Sequence, residues 1–123
     1  MDKKKILIAD DETSIRSLVR SMLGKEHIVI GASDGEEATK VAHKEKPDLI
    51  LMDIMMPKMD GYTACHAIKT HPATEAIPVV MLTGVGYELN KKLSQMIGAS
   101  GYITKPFQLQ ELKEMIGQLL SAP

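Results

Sequence analysis

Leu49-Ile50-Leu51-Met52-Asp53-Ile54-Met55-Met56-Pro57-Lys58-Met59-Asp60-Gly61 decides how this chain reads. Apolar residues run without interruption up to a single carboxylate, Asp53. Such a run predicts a strand buried on both faces, the kind found in parallel sheets. Pro57 stops regular pairing, and Asp60-Gly61 signals a turn or a helix start. Asp53 therefore falls where a central strand ends and a loop begins. In open α/β sheets ligands bind at that edge, outside the carboxyl ends of the strands. Taken alone, Asp53 reads equally well as a cap for the loop behind it.

The chain on either side repeats the pattern. Before this stretch, Ile6-Leu7-Ile8-Ala9 predicts a short buried strand. From Thr13 to Leu23 a helical stripe carries Ile15, Leu18, Val19, Met22 and Leu23, with Gly24 as C-cap. His27 to Gly31 predicts a second strand. Ser33-Asp34-Gly35-Glu36 is a capping-box pattern, opening a helix through Ala38, Val41 and Ala42 that ends before Pro47. After it, Asp60-Gly61 opens a helix with Ala64, Cys65 and Ile68 inward, ending near His71-Pro72. Ile77 to Leu82 predicts a fourth strand, followed by a helix with Leu89, Leu93, Met96 and Ile97 inward and Gly98 at its end. Gly101-Tyr102-Ile103-Thr104 is the fifth strand, and a last helix carries Leu109, Leu112, Met115, Ile116, Leu119 and Leu120. Five strands alternating with five helices through short connections imply a doubly wound parallel sheet. No repeat or internal linker appears, so residues 1–123 read as one domain.

Composition narrows the function classes. At 123 residues with 44% hydrophobic and 25% charged residues, the chain builds an ordinary globular core. Its 15 Lys+Arg against 16 Asp+Glu give no reason to expect a nucleic-acid or membrane partner. Aromatic residues, at 3%, leave no platform for stacking single-stranded bases. The single Cys65 allows neither an internal disulfide nor a cysteine metal site. The apolar stretch after Lys3-Lys4-Lys5 stops at Asp10-Asp11, too soon for a signal-peptide core, and no run reaches membrane-spanning length. A soluble, cytoplasmic protein is expected.

What stands at the strand ends carries the chemistry. The first ends in Asp10-Asp11, the third in Asp53, the fourth in Thr83 and the fifth in Lys105. In a parallel sheet these ends share one edge, and if the first and third strands are neighbours the carboxylates meet at the crevice. Two charges about 4 Å apart repel by roughly 4 kcal/mol at an effective dielectric near 20. A hard divalent cation, Mg²⁺ or Mn²⁺, removes that cost, and Mg²⁺ sites leave room for a phosphate oxygen. Lys105 adds a point charge and Thr83 a donor, both suited to phosphate. The edge reads as a carboxylate that accepts a phosphoryl group, an established covalent intermediate.

These pieces resemble the receiver domain of two-component response regulators, of the chemotaxis-receiver type. The matching residues are Asp10-Asp11, Asp53 with Met56-Pro57-Lys58-Met59-Asp60-Gly61, Thr83, and Gly101-Tyr102-Ile103-Thr104-Lys105-Pro106-Phe107. The spacings of thirty residues from Asp53 to Thr83 and twenty-two from Thr83 to Lys105 match as well. The resemblance covers nearly the whole chain and implies a flavodoxin-like (βα)5 sheet of order 2-1-3-4-5. It implies that Asp53 accepts phosphate from a sensor histidine kinase or phosphotransfer protein, and that the domain assists its own phosphorylation and dephosphorylation. Asp11, Asp53 and the Met55 backbone carbonyl would hold Mg²⁺, with Asp10 acting mainly through metal-bound water. Lys105 would pair with the phosphoryl group, Thr83 would move toward it, and Tyr102 would swing inward behind it. The face formed by the fourth helix, fifth strand and fifth helix would then signal to a partner or form a phosphorylation-dependent homodimer. Gly84 departs from the Ala usual after this Thr, and both are small enough for phosphate to approach.

Other readings are weaker. Magnesium-dependent phosphotransferases, nucleases and aspartate-based phosphatases place acidic pairs as Asp-x-Asp, and Asp53-Ile54-Met55 lacks the second carboxylate. A flavin-binding domain of this fold needs a Ser/Thr/Gly-rich phosphate loop after the first strand, where this chain has Asp10-Asp11-Glu12. Tyr102 also reads as plain core packing. Cys65 lies on an apolar helix face and reads as buried and inert. His27, His43, His66 and His71 show no ligand spacing and read as surface or loop residues. Whether the receiver stands alone or belongs to a longer regulator stays open.

Overall fold

The computed structural model describes residues 3–84, 92 and 96–121. Five strands, β1 (Lys4–Ala9), β2 (His27–Ala32), β3 (Leu49–Asp53), β4 (Val79–Thr83) and β5 (Gly101–Thr104), form one parallel sheet of order β2-β1-β3-β4-β5. Four described helices cover it: α1 (Thr13–Leu23), α2 (Gly35–Glu45), α3 (Gly61–Lys69) and the C-terminal α4 (Leu109–Leu120). The predicted helix between β4 and β5, with Leu89 and Leu93, lies outside the described residues.

Alternation along the strands sorts the core into two layers. Leu7, Ala9, Ile50, Met52, Val79 and Met81 face α2 and α3, meeting Ala38, Ala42, Ala64, Cys65 and Ile68. Ile6, Ile8, Leu49, Leu51, Val80, Leu82 and Ile103 point the other way, against Val19 and Leu23 of α1 and Leu112 and Ile116 of α4. All five residues of β3 are buried, as its apolar run requires. A Leu51→Ala cavity at this depth costs about 2–5 kcal/mol.

Caps set the helix starts. Asp34, not Ser33, is the N-cap of α2: it accepts from the Glu37 amide at 2.8 Å, and Glu37 Oε1 accepts from the Ser33 amide at 2.6 Å, so the capping contacts form one residue later than the Ser33–Glu36 box the sequence suggests. Asp60 caps α3 by accepting from the Thr63 amide at 2.8 Å. Gly24 is the C-cap of α1, in right-handed backbone.

Three predicted inward residues face out. Leu18 is 42% exposed, Leu109 38% and Met96 81%. Leu18 and Leu109 lie at the margins of stripes whose centres, Val19, Leu23, Leu112 and Ile116, already fill the space against the sheet. Met96 is succeeded by Ile97, which packs on the α2–α3 layer in its place. Strand β4 begins at Val79, two residues later than the apolar run suggested, although the Pro78 carbonyl still accepts from the Ile50 amide at 3.0 Å. His27 is a half-buried strand residue, and His43 packs edge-on against His71 with centroids 4.4 Å apart.

Candidate functional site

Parallel pairing delivers the expected edge. β1 lies between β2 and β3, so Asp10 and Asp53 end neighbouring strands where the winding reverses. The Asp10 amide donates to the Ala32 carbonyl at 3.0 Å, tying the end of β1 to that of β2. Asp53 is the last residue of β3, and Gly61 packs directly on it. A Cβ at Gly61 would stand 2.1 Å from the Asp53 carbonyl oxygen, so only glycine fits. The Gly61 amide donates to the Ile54 carbonyl at 2.8 Å. From the other side Gly35 opens α2 against the same loop, where a Cβ would stand 1.9 Å from the Met59 carbonyl oxygen. Two glycines at two helix starts thus clamp the loop behind Asp53, with Lys58 between them in left-handed backbone at φ 66°.

The site gathers three carboxylates and one ammonium. Asp10, Asp11 and Asp53 each offer a carboxylate oxygen, all within 4.8 Å of one another. Asp10 and Asp53 are buried, whereas Asp11 is exposed. Lys105 Nζ donates to Asp10 Oδ2 at 2.7 Å and to Asp53 Oδ1 at 3.2 Å. The Glu12 amide donates to Asp10 Oδ1 at 2.9 Å, so both oxygens of Asp10 are engaged. No hydrogen bond or ion pair to a described residue engages the Asp11 carboxylate. Arg16 Nη1 donates to the Asp10 carbonyl at 2.6 Å. Lys105 follows β5 through a hydrogen bond from its amide to the Thr83 carbonyl at 2.6 Å, and its bond to Pro106 is cis.

Electrostatics follow from these contacts. Burial pushes the Asp53 carboxyl above its usual value, the Asp10 charge adds to this, and Lys105 only partly opposes it. Burial pulls Lys105 down, but the hydrogen bond to Asp10 and the charges of Asp53 and Asp10 outweigh it, holding the ammonium above its ordinary value. Among the described residues, Lys105 is the one cation paired with these three carboxylates, with Arg16 held on the Asp10 carbonyl, so the partly dry site keeps net negative charge. Thr83 Oγ1, also buried, has no hydrogen-bond partner among the described residues. An unpaired buried hydroxyl costs about 1–3 kcal/mol, which an incoming oxygen would relieve. Carboxylates at this spacing fit a hard divalent cation, and the unpaired donor fits a phosphoryl oxygen beside it.

The remaining predicted residues fall around this centre. Met55 lies two residues beyond β3 with its side chain 78% exposed. Tyr102, on β5, is half-buried against the α2–α3 layer. Cys65 is fully buried, and burial pushes its thiol up to about 11, which makes it inert. Sequence reasoning passed over Arg16 and the packing role of Gly35. A cation at the start of a helix is a signal that could have singled out Arg16, since the dipole disfavours it. Next to Lys105, Ile15, Leu18, Gly84, Pro106 and Phe107 line a shallow cavity of about 340 Å³.

The chain matches the profile of the response regulator receiver domain over residues 6–117, and it belongs to that family. It is 43% identical over 118 residues to the alkaline phosphatase synthesis transcriptional regulatory protein PhoP of Bacillus subtilis, covering 95% of this chain and 48% of that protein. The chain spans about half the length of the curated relatives it matches. Among solved structures, chemotaxis protein CheY4 of Vibrio cholerae superposes with a TM-score of 0.91 at 32% identity, covering 97% of this chain and all of that one. The receiver domain of a sensor histidine kinase from Pseudomonas aeruginosa, with a magnesium ion coordinated in its active-site cleft, gives 0.91 at 25% identity, covering 98% and 100%. The expected flavodoxin-like fold and its strand order are therefore the family's own. Receivers of two-component systems are signalling domains that are phosphorylated on an aspartate and bind Mg²⁺ at an acidic pocket. Among the described residues no helix is long and apolar enough to cross a membrane.

Proposed function

We propose that Asp53 is the phosphoacceptor of this receiver, with a sensor histidine kinase or phosphotransfer protein as donor. The observation that carries this reading is the placement of Asp53: buried at the end of the central strand, within hydrogen-bond reach of Lys105, and within 4.8 Å of two further carboxylates. A carboxylate oxygen of Asp53 attacks phosphorus on the donor's phosphohistidine. The new O–P bond forms as the P–N bond breaks, and the imidazole leaves with the bonding pair and takes up a proton. Lys105 already faces the Asp53 oxygen and neutralises charge on the transferred group. Asp11, whose carboxylate no described residue engages, and Asp53 would hold Mg²⁺ with the Met55 carbonyl. Asp10, both oxygens engaged, would act through water. When bound there, Mg²⁺ would supply positive charge to offset the three carboxylates and the incoming phosphoryl group. In this way the domain assists its own phosphorylation and dephosphorylation.

Thr83 Oγ1, without a partner among the described residues, would donate to the phosphoryl group, a charge-assisted bond worth roughly 1.5–3 kcal/mol. That difference shifts a two-state equilibrium by about ten- to a hundredfold. Tyr102 would then move inward and alter the face of β5 and α4 together with the chain before β5. This face would signal to a downstream protein, an output half of a longer regulator or a second copy. The donor protein would dock where Ile15, Leu18, Pro106 and Phe107 expose an apolar margin beside Lys105. Residues 1–123 form the receiver unit, acting in the cytoplasm.

Acetyl phosphate with Mg²⁺ tests the acceptor directly. Intact-mass measurement should show one phosphoryl group on the wild type and none on Asp53→Asn; undiminished labelling of the variant refutes the assignment. Thr83→Ala should still be labelled yet lose the distant amide shifts that beryllofluoride, a phosphoryl mimic, induces in residues 96–110 of the wild type.

A further inference from the structure

Arg16 is the fourth residue of α1, where a cation opposes the helix dipole and no acidic residue in the first turn offsets it. Its partners lie outside the helix's own ladder. Nη1 donates to the Asp10 carbonyl oxygen at 2.6 Å and Nη2 to Thr13 Oγ1 at 3.2 Å. The Asp10 carbonyl shares one rigid peptide plane with the Asp11 amide, so holding that oxygen fixes the plane from which Asp11 departs. The stem of Arg16 lies over Gly31, where an added Cβ would stand 3.4 Å from Arg16 Cδ and 2.9 Å from Arg20 Nη2.

The three carboxylates differ in what holds them. Asp10 is fixed by Lys105 and the Glu12 amide, and Asp53 by Lys105 and the end of β3. Asp11 is exposed, and no described residue engages its carboxylate. Among the described residues, what places it within 4.8 Å of the other two is its backbone. We infer that Arg16 is a positioning residue for the cation site, its guanidinium fixing the Asp10–Asp11 peptide so that the Asp11 carboxylate stays within reach of Asp53. The inference rests on the reading of Asp10, Asp11 and Asp53 as the Mg²⁺ site. Arg16 has a second influence of opposite sign, because its charge repels a divalent cation. Removing it therefore weakens Mg²⁺ binding if orientation dominates and tightens binding if charge dominates. Orientation should win, since the hydrogen bond is short and charge-assisted, while solvent reaches the site from the Asp11 side and screens the charge.

Calorimetric titration of Mg²⁺ into the metal-free protein separates these outcomes. Arg16→Ala should bind about tenfold more weakly, equivalent to about 1.4 kcal/mol of lost binding free energy. Arg16→Lys, which keeps the charge but replaces the forked guanidinium with a single ammonium, should recover part of it. In the Mg²⁺-free state the amide resonances of Asp11 and Glu12 should move in Arg16→Ala, and the loss of affinity should persist at temperatures where the variant is fully folded, which a merely structural role would not produce. Binding as tight as the wild type, or tighter, overturns the inference. Asp53→Asn in the same series guards the underlying reading. If it binds Mg²⁺ like the wild type, the site assignment itself fails; if it alone loses binding, only the role of Arg16 does. Should Arg16→Ala fail to fold, Arg16→Lys decides, and wild-type affinity with unmoved Asp11 and Glu12 amides counts against the role.

Discussion

Two lysine–carboxylate pairs stand at opposite edges of the same sheet. At the amino edge Lys5 Nζ meets Glu45 Oε1 at 3.1 Å, with the side chains 32% and 36% exposed. At the carboxyl edge Lys105 Nζ meets Asp10 Oδ2 at 2.7 Å, with exposures of 17% and 0%. The bond type is the same, but the surroundings differ. Lys5 and Glu45 exchange one solvated partner for another, so their attraction is nearly cancelled by desolvation and side-chain ordering. Asp10 has no water to fall back on, and Lys105 must also serve Asp53. Charge that is neutral in effect at one edge becomes costly at the other, where a cation or phosphoryl group changes the balance.

The largest effect should come from removing the shared cation. Lys105→Met leaves Asp10 and Asp53 without their donor and should destabilise the metal-free protein by about 1–3 kcal/mol at neutral pH. Saturating Mg²⁺ should recover more stability in this variant than in the wild type, because it supplies the missing positive charge. Chemical denaturation with and without Mg²⁺ measures both. Equal Mg²⁺ gains in the two proteins would break the comparison.

Asp53→Asn should act in the opposite direction. The Asp53 carboxyl titrates higher in the folded chain than in the unfolded one. Between those two values the folded state binds more protons, so stability falls as pH rises through that window. The asparagine variant removes this loss and should gain roughly 0.5–2 kcal/mol at pH 7, the usual size of a relieved functional-site cost. The gain should vanish below the ordinary carboxyl range, where Asp53 is protonated in both states. A gain independent of pH would trace to something other than the charge.

Most of this edge was legible because strand ends are legible. An apolar run that stops at a carboxylate locates Asp53 along the strand, and parallel pairing brings Asp10, Thr83 and Lys105 to the same edge. Contacts that depend on loop geometry were not. Nothing in Asp60-Gly61 beyond a helix start says that Gly61 touches the Asp53 carbonyl, or that Gly35 approaches Met59 from another helix. Helical periodicity also overreached at Leu18 and Leu109. It reports which residues share a stripe, and not how wide a stripe the sheet has room to cover.

The smallest effect belongs to the outer pair. A double-mutant cycle on Lys5→Met and Glu45→Gln should give a coupling of about 0.2–1 kcal/mol. Both side chains are a third exposed, so counterions reach them, and the coupling should shrink as salt rises and the Debye length falls from about 8 Å at 0.15 M to 3 Å at 1 M. The matching cycle on Lys105→Met and Asp10→Asn should keep most of its coupling over the same range, because Asp10 is sealed from solvent. Asp53 remains to repel or attract in every corner of that cycle, so its sign is best read with Asp53→Asn as the common background. If the Lys105–Asp10 coupling decays with salt as fast as the outer one, burial is not what separates the two edges. The functional edge would then owe its character to the number of carboxylates it gathers instead.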